Sequence, residues 1–159
     1  METDTQNGAP IDGATTAETE KKLSDDQIER LIEASLEARK NSYSPYSKFA
    51  VGAALLTHDH TVVKGCNVEN VSFGLTVCAE RTAVCRAVVD GHRKFRAIAI
   101  TAEMGSKWVG PCGACRQTLA EFGLDLEVYL AMPDKRYMKT TVCRLLPDGF
   151  TPDWVNLGQ

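Results

Sequence analysis

The stretch CAERTAVCRAVVDG, residues 78–91, followed by RAIAITA, residues 96–102, decides the fold class of this chain. The first stretch repeats apolar side chains at helical spacing up to Asp90, and Gly91 stands where a helix commonly ends. The second stretch is a short apolar run with the composition of a buried strand. A helix that leads directly into a buried strand is typical of α/β proteins.

The same alternation of helix and strand continues towards the C-terminus. Pro111 precedes a third predicted helix, which Gly123 closes. The run LEVYLAM at residues 126–132 then predicts another strand, and a short strand and helix finish near Leu146. The C-terminal half therefore supplies further helix–strand pairs.

The N-terminal half supplies a first helix and a hairpin. Ser24 and Gln27 form an S-x-x-Q capping box ahead of apolar residues at helical spacing. Residues 41–49, NSYSPYSKF, predict a loop, and residues 50–56 and 61–68 predict two strands joined by a tight turn. Strands that alternate with helices after an initial hairpin predict an α/β fold, a three-layer α/β/α sandwich around a mixed sheet of about five strands.

The chain divides into an acidic tail and one domain. Residues 1–22 hold five acidic residues against two lysines and few large apolar side chains, so we expect them to be disordered. Residues 23–159 are long enough for one domain with a sizeable core, and 43% hydrophobic with 25% charged residues is the composition of a globular protein.

The charge of the chain argues for a small substrate. The tail carries the whole formal charge of -3, so the domain is neutral and its lysines and arginines are scattered. A nucleic acid polymer needs a basic surface, and a membrane span needs an apolar run of about 20 residues, so neither partner is expected. The N-terminus lacks the pattern of a secretory signal, and we expect a cytoplasmic protein in which six cysteines serve metal binding or catalysis.

Three cysteines and a glutamate carry the chemistry. Cys112 and Cys115 stand in PCGAC at a predicted helix start, where positions three apart share a face and can bind one metal ion. On its own this C-x-x-C pair also fits a redox dithiol or a structural zinc clip. Cys78 stands at the start of a second predicted helix and would be a third ligand. Three protein ligands leave a zinc ion with one open position for water, which is typical of a catalytic site. Glu80, two residues further on, is then the expected acid and base.

Charge balance adds residues around the metal. Three thiolates outweigh one Zn²⁺, so the site needs positive neighbours, and two helix N-termini provide partial positive charge. Arg81 and Arg116 each follow a motif residue, and we expect Arg81 to donate hydrogen bonds to the thiolates.

The remaining cysteines and the histidines have plainer interpretations. Cys66, Cys85 and Cys143 lie within apolar strand or helix patterns and are predicted to be small buried residues. Cys66 as a fourth ligand would close the open metal position. All three histidines flank predicted turns and are expected to be solvated; they are His58, His60 and His92.

The sequence Cys78-Ala79-Glu80-Arg81, followed by PCGACRQ at residues 111–117, resembles the small, three-cysteine form of the cytidine deaminase family. The resemblance covers residues 23–150 and implies the deaminase fold with one Zn²⁺ per subunit. It also implies hydrolysis of cytidine and deoxycytidine to uridine and deoxyuridine with release of ammonia, a reaction of pyrimidine salvage. Glu80 would protonate N3 of the base and carry the second proton of water to the leaving amine.

The resemblance also assigns substrate contacts. It implies that Asn67 and Glu69 bind the sugar hydroxyls, that Phe49 forms an aromatic wall and that Ala79 contacts the base. Gln117 is placed beside the metal ligands. It further implies a homotetramer in which Phe150 reaches the active site of a neighbouring subunit.

Phe73 departs from the family pattern. Many relatives carry tyrosine near the shared site, so a hydroxyl contact open to them is absent here.

Other functions remain open at this point. A relative with the same chemistry would act on another aminopyrimidine, such as blasticidin S, or on a nucleotide or polynucleotide. Nucleotide and polynucleotide deaminases commonly use histidine as the first ligand, whereas this chain has Cys78. A different class is a zinc protein without catalysis, in which the thiolates only hold the fold.

Overall fold

A computed structural model describes residues 22–155. The tail predicted to be disordered, residues 1–22, therefore lies outside the described residues except for Lys22, as do residues 156–159. Within residues 22–155, no helix is long and apolar enough to cross a membrane.

The elements follow the predicted order. The α-helices are α1 (Asp25–Arg39), α2 (Ala79–Val89), α3 (Gly113–Ala120) and α4 (Val142–Leu145). The strands are β1 (Gly52–Thr57), β2 (Val62–Cys66), β3 (Phe95–Thr101), β4 (Glu127–Ala131) and β5 (Tyr137–Thr141). Short 3₁₀ helices occur at Phe73–Leu75 and Pro152–Trp154.

The helix ends have the predicted caps. The Ser24 hydroxyl accepts the Gln27 N–H at 3.3 Å, and the Gln27 side chain accepts the Ser24 N–H at 3.0 Å, which completes the capping box. Beyond α2, Gly91 has φ +95°, a conformation that favours glycine over other residues. These local signals confirm where both helices begin or end.

The five strands form one mixed sheet in the order β2-β1-β3-β4-β5. Only β3 and β4 run parallel, while the other neighbours are antiparallel, and β1 and β2 form the predicted hairpin. The prediction of a mixed five-stranded sheet is confirmed.

Helices cover both faces of the sheet and enclose two apolar cores. On one face, Leu31 and Ile32 of α1 join a buried cluster with alternate strand residues such as Ala97. On the other face, Ala83 of α2 and Leu119 of α3 join a second cluster. Because alternate strand residues point to opposite faces, one sheet supports both layers, which gives the predicted three-layer sandwich.

Two glycines set the distance between sheet and helices. A Cβ built on Gly52 in β1 would lie 2.0 Å from the Ser35 carbonyl oxygen of α1. A Cβ on Gly65 in β2 would lie 2.4 Å from the backbone nitrogen of Ala83 in α2. Backbone therefore packs directly on backbone at both places, and the second contact fixes the height of α2 above the sheet.

The prediction that three cysteines are small buried residues is wrong, since none of them is fully buried. Cys85 and Cys143 are exposed, and Cys66 is half-buried with its thiol donating to the Asn41 carbonyl oxygen at 3.3 Å. Cys85 lies off the buried face of α2, which is formed by Ala79, Glu80, Ala83, Val84 and Ala87. Apolar composition alone did not reveal which side of this short helix is covered.

The histidines lie at turns, as expected. His58 and His60 are exposed. His92 is only partly exposed, and its Nδ1 lies 3.2 Å from an Asp59 carboxylate oxygen. His92 is thus a turn residue that is partly covered and pairs with Asp59.

Candidate metal centre and active site

The structure brings Cys78, Cys112 and Cys115 together. Their sulfur atoms all lie within 4.8 Å of one another, with 3.8 Å between Cys78 and Cys112 and 3.5 Å between Cys112 and Cys115. A tetrahedral zinc with Zn–S bonds of about 2.3 Å holds its sulfurs about 3.8 Å apart. The three thiols therefore fit three corners of a zinc tetrahedron and leave the fourth corner open.

Two helix starts place these sulfurs. Cys78 is the N-cap of α2 and Cys112 the N-cap of α3, both with extended backbone at ψ 154° and 169°. Cys115 lies on the first turn of α3, three residues after Cys112 and on the same side. Neither the Cys78 nor the Cys112 side chain accepts a hydrogen bond from the backbone of its own helix. Both sulfurs are therefore available to bind a metal ion. Both helix N-termini place partial positive charge beside the cluster.

The pKa values of Cys78 and Cys115 are shifted in opposite directions. A hydrogen bond from Cys115, followed by the Arg81 guanidinium, lowers the pKa of Cys78 to about 5. The Cys78 thiolate and burial raise the pKa of Cys115 well above its ordinary value. The pair thus gives up a first proton readily and resists a second negative charge. A bound dication removes that resistance, so the donor set fits Zn²⁺.

Arg81 lies against the cluster, as the charge argument predicts. A terminal nitrogen of Arg81 is 4.0 Å from the Cys78 sulfur and donates to the Thr76 carbonyl oxygen at 3.0 Å. The interaction with Cys78 raises the pKa of Arg81. Among the described residues, Arg81 Nε is buried without a hydrogen-bond partner. The hydrogen bond to Thr76 holds the guanidinium beside Cys78.

Two other residues near the motif bind elsewhere. Arg116 donates to the carbonyl oxygens of Pro111 and Leu145, at 2.8 and 2.9 Å, and so connects the segment before α3 with the end of α4. Gln117, expected beside the metal ligands, donates to the Phe150 carbonyl oxygen at 2.7 Å. Both side chains support the protein around the cluster through backbone contacts.

Glu80 is a buried carboxyl group on the first turn of α2. Its exposed fraction is 5%, and burial raises its pKa, while the negative charge on Cys78 acts in the same direction. A carboxyl group with a raised pKa beside an open metal position is suited to accept and return protons near neutral pH.

A pocket of about 260 Å³, the scale of a small molecule, opens over this group. Four residues assigned by resemblance to the substrate line it together with Cys78, Glu80 and Cys112: Phe49, Asn67, Glu69 and Ala79. The pocket thus connects the metal cluster at one end with the polar side chains of Asn67 and Glu69.

Asn67 is buried and holds the loop before β1. Its side-chain oxygen accepts the Ser42 hydroxyl at 2.6 Å and the Val51 N–H at 2.9 Å, and its amide donates to the Phe49 carbonyl oxygen at 2.9 Å. An amide offers two donors and two acceptor positions, so one N–H remains for a ligand.

Two predicted aromatic contacts lie apart from this pocket in the single chain. Phe73 is 73% exposed and packs on Tyr46, with ring centroids 5.7 Å apart. Phe150 is 58% exposed and packs edge-on against Trp154, with ring centroids 6.1 Å apart. Neither ring lines the pocket.

Sequence reasoning missed several pocket residues. Ser47, Thr76, Val109 and Gly110 also line it. The first lies in the loop NSYSPYSKF, two residues before Phe49, and a hydroxyl so close to a predicted wall residue was a usable signal. The other three lie two or three residues before a ligand cysteine, Thr76 ahead of Cys78 and Val109 and Gly110 ahead of Cys112, so closeness to the motifs was the available signal.

Comparison with known proteins agrees with this geometry. The family model described as cytidine and deoxycytidylate deaminase zinc-binding region matches residues 25–132. A cytidine deaminase of Sporosarcina psychrophila is 49% identical over 127 residues, which are 79% of this chain and 93% of that protein. A probable cytidine deaminase of Dictyostelium discoideum is 40% identical over 82% of this chain and 88% of its own length. The crystal structure of cytidine deaminase from Burkholderia pseudomallei superposes with a TM-score of 0.74 at 46% identity, covering 80% of this chain and all of that one.

Proposed function

This chain belongs to the cytidine and deoxycytidylate deaminase family, and we propose that it hydrolyses cytidine and deoxycytidine to uridine and deoxyuridine with release of ammonia. One observation carries the proposal. The buried carboxyl group of Glu80 lies beside three thiols that fit zinc, at the end of a pocket of nucleoside scale.

The metal is held by Cys78, Cys112 and Cys115. When bound there, zinc makes a water molecule acidic enough to act as the nucleophile near neutral pH. The N-termini of α2 and α3 and the Arg81 guanidinium offset the negative charge of the thiolates.

Glu80 moves the protons. Its carboxylate takes a proton from water and gives it to N3 of the base, which makes C4 open to attack. Water oxygen bonds to C4, and Glu80 then passes the second water proton to the amino group. The bond from C4 to that nitrogen breaks, ammonia leaves, and the carbonyl of uridine remains. One carboxylate serves both steps because it ends each cycle in the form in which it began.

The other end of the pocket selects a nucleoside. The free N–H of Asn67 donates to a sugar hydroxyl, and the carboxylate of Glu69 accepts a hydrogen bond from one. Phe49 packs on the flat face of the base, and the backbone at Ala79 borders its polar edge. A free base leaves the two sugar-binding groups without partners, which disfavours it.

The test combines metal analysis with a deamination assay. We expect purified protein to contain one zinc per chain and to deplete the absorbance of cytidine and deoxycytidine. Glu80→Gln keeps the zinc and loses at least about 10³-fold in kcat, because the amide cannot accept a proton. Glu121→Gln, an exposed carboxyl on the far end of α3, serves as the matched control and keeps wild-type turnover.

Two results would contradict the proposal in different ways. A Glu80→Gln variant identical to wild type in every property indicates a zinc protein without catalysis. A wild-type protein that does not deaminate cytidine or deoxycytidine but deaminates another aminopyrimidine, such as blasticidin S, would support the proposed reaction and contradict the proposed substrate.

We further propose a homotetramer with shared active sites. Phe73 and Phe150 are exposed rings outside the pocket of their own chain, and Val71 and Leu75 extend the first of these into an apolar run. A monomer rarely exposes such a patch without a partner for it. Closed symmetric assembly allows each subunit to lend Phe150 to a neighbour, with Gln117 holding its backbone.

Complementation tests the shared site. Phe150→Ala and Glu80→Gln are each expected to be nearly inactive when expressed alone. When the two variants are co-expressed in equal amounts, about a quarter of the sites combine an intact Glu80 with an intact Phe150 from a neighbour, so about a quarter of wild-type activity is expected to return. Light scattering checks for four chains of 17.4 kDa. Mixed subunits without any recovery, or a monomer with full activity, would exclude the arrangement.

The reaction suits salvage of pyrimidine nucleosides in a reducing cytoplasm. All six cysteines lie in the described part of the chain and are free, and a reducing compartment keeps the ligand thiols available to zinc.

A further inference from the structure

Ser47 connects two parts of the pocket through one hydroxyl group. The Ser47 hydroxyl donates a hydrogen bond to Oε1 of Glu69. The oxygen of that hydroxyl, Oγ of Ser47, also accepts the Phe49 N–H at 3.0 Å. The other carboxylate oxygen, Oε2, accepts the backbone N–H groups of Tyr46 at 2.9 Å and Ser47 at 3.2 Å. The turn before β1 therefore grips the carboxylate with three hydrogen bonds.

These contacts leave Glu69 with a restricted capacity for further bonds. A carboxylate has about four acceptor positions, so one remains. Two backbone N–H groups hold Oε2, whereas among the described residues the only hydrogen bond to Oε1 comes from Ser47. The side chain of Ser47 therefore decides where the remaining acceptor of Glu69 points. The hydroxyl also lowers the pKa of Glu69, which keeps the acceptor ionised.

The second bond of the hydroxyl extends this control to the base. Phe49 follows Lys48, which has φ 59°. The chain therefore turns sharply between Ser47, which binds the Glu69 carboxylate, and the aromatic ring of Phe49. By accepting the Phe49 N–H, Ser47 fixes the wall relative to Glu69 across that turn. Asn67 binds the Phe49 carbonyl oxygen from the other side.

We propose that Ser47 is a positioning residue for sugar recognition, which orients the free acceptor of Glu69 towards a sugar hydroxyl of the bound nucleoside. The inference rests on the proposed function and extends it to a residue outside the family motifs. Ser47 acts on the sugar hydroxyls through Glu69, whereas its bond to the Phe49 N–H involves only the backbone of the wall residue. Removing the hydroxyl should therefore weaken ligands that carry sugar hydroxyls more than ligands that lack them.

The experiment compares ligands with and without those hydroxyls. Ser47→Ala is assayed for KM and kcat on cytidine, and for the inhibition constant of 2′,3′-dideoxycytidine, which lacks both ring hydroxyls that Asn67 and Glu69 can bind. Ser44→Ala is the matched control, because Ser44 lies in the same turn and its hydroxyl contacts Ser42 instead. Ser47→Thr restores the hydroxyl. Zinc content and thermal midpoint are measured for each variant.

Loss of a hydrogen bond to a charged group predicts a KM for cytidine about tenfold higher in Ser47→Ala, with kcat within about twofold. The inhibition constant of the dideoxy compound is expected to stay within about twofold, and Ser47→Thr and Ser44→Ala to behave like wild type. An equal loss for both ligands would show that the turn has only a structural role and would overturn the inference, as would an unchanged KM. A wild-type protein without cytidine deamination overturns the proposed function itself, before any variant is compared.

Discussion

Replacing Gly65 with alanine inserts a methyl group between β2 and α2. The added Cβ would lie 2.4 Å from the Ala83 nitrogen, 2.5 Å from the Ala79 carbonyl oxygen and 2.8 Å from the Ala83 Cα. All three are backbone atoms, so no side chain can rotate to relieve the contact. The helix has to move away from the strand.

The size of that movement follows from the distances. Ordinary van der Waals contact begins at 3.4 Å, so α2 must shift by about 1 Å. Overpacking of this kind costs about 1–3 kcal/mol, and we expect the upper end because the obstacle is backbone. The same shift moves Cys78 and Glu80, which stand at the start of α2, relative to Cys112 on α3. Zinc ligands tolerate about 0.2 Å, so metal affinity should fall together with activity.

Three measurements test this reasoning. We expect Gly65→Ala to lower the free energy of unfolding in urea by about 3 kcal/mol, to release zinc to a chelator more readily and to lose about 100-fold in kcat/KM. Gly74→Ala is the matched control, since a Cβ there meets nothing within 4 Å. A Gly65→Ala variant with wild-type zinc retention and kcat/KM would refute the claim that this contact sets the position of the metal ligand.

Two further predictions concern stability. The hydroxyls of Ser35 and Thr101 meet at 2.5 Å in the core, and Ser35 also donates to the Ile32 carbonyl oxygen, so Ser35→Ala should cost about 1–3 kcal/mol in urea unfolding. Ser35→Ala with Thr101→Val should cost less than the sum of the single changes, and strict additivity would disprove their coupling. Hydrogen bonds from the Thr57 hydroxyl and the Thr61 N–H lower the pKa of Asp59 to about 2, below its unfolded value of about 3.9. A carboxylate with a depressed folded-state pKa stabilises above the unfolded pKa, so the stability difference between wild type and Asp59→Asn should be present at pH 5 and be lost as the pH falls through about 2. A stability difference between wild type and Asp59→Asn that does not change with pH would contradict this prediction.

The secondary structure of this chain is largely predictable because its signals are local. The Ser24 capping box, the glycine after α2 and the short apolar runs of β3 and β4 each act within a few residues. Short spacing likewise identifies Cys112 and Cys115 as a pair. The exposure of Cys85 and Cys143 was mispredicted because composition within a short helix does not show which face is covered.

The tertiary structure decided the relations between segments that lie far apart along the chain. Only folding shows that Gly65 limits the approach of α2, that Arg116 binds the Leu145 carbonyl oxygen and not a thiolate, and that the Ser47 hydroxyl binds Glu69. These contacts join residues separated by a strand or a helix, and their geometry depends on how the layers pack.

The sequence by itself therefore determined the elements, their order and the ligand types, since these depend on local backbone preference and on side-chain chemistry. Only the tertiary structure decided the distances that make three thiols a zinc site and a turn serine part of a sugar pocket. The physical reason is that close packing fixes such distances collectively, through backbone contacts that no short stretch of sequence encodes.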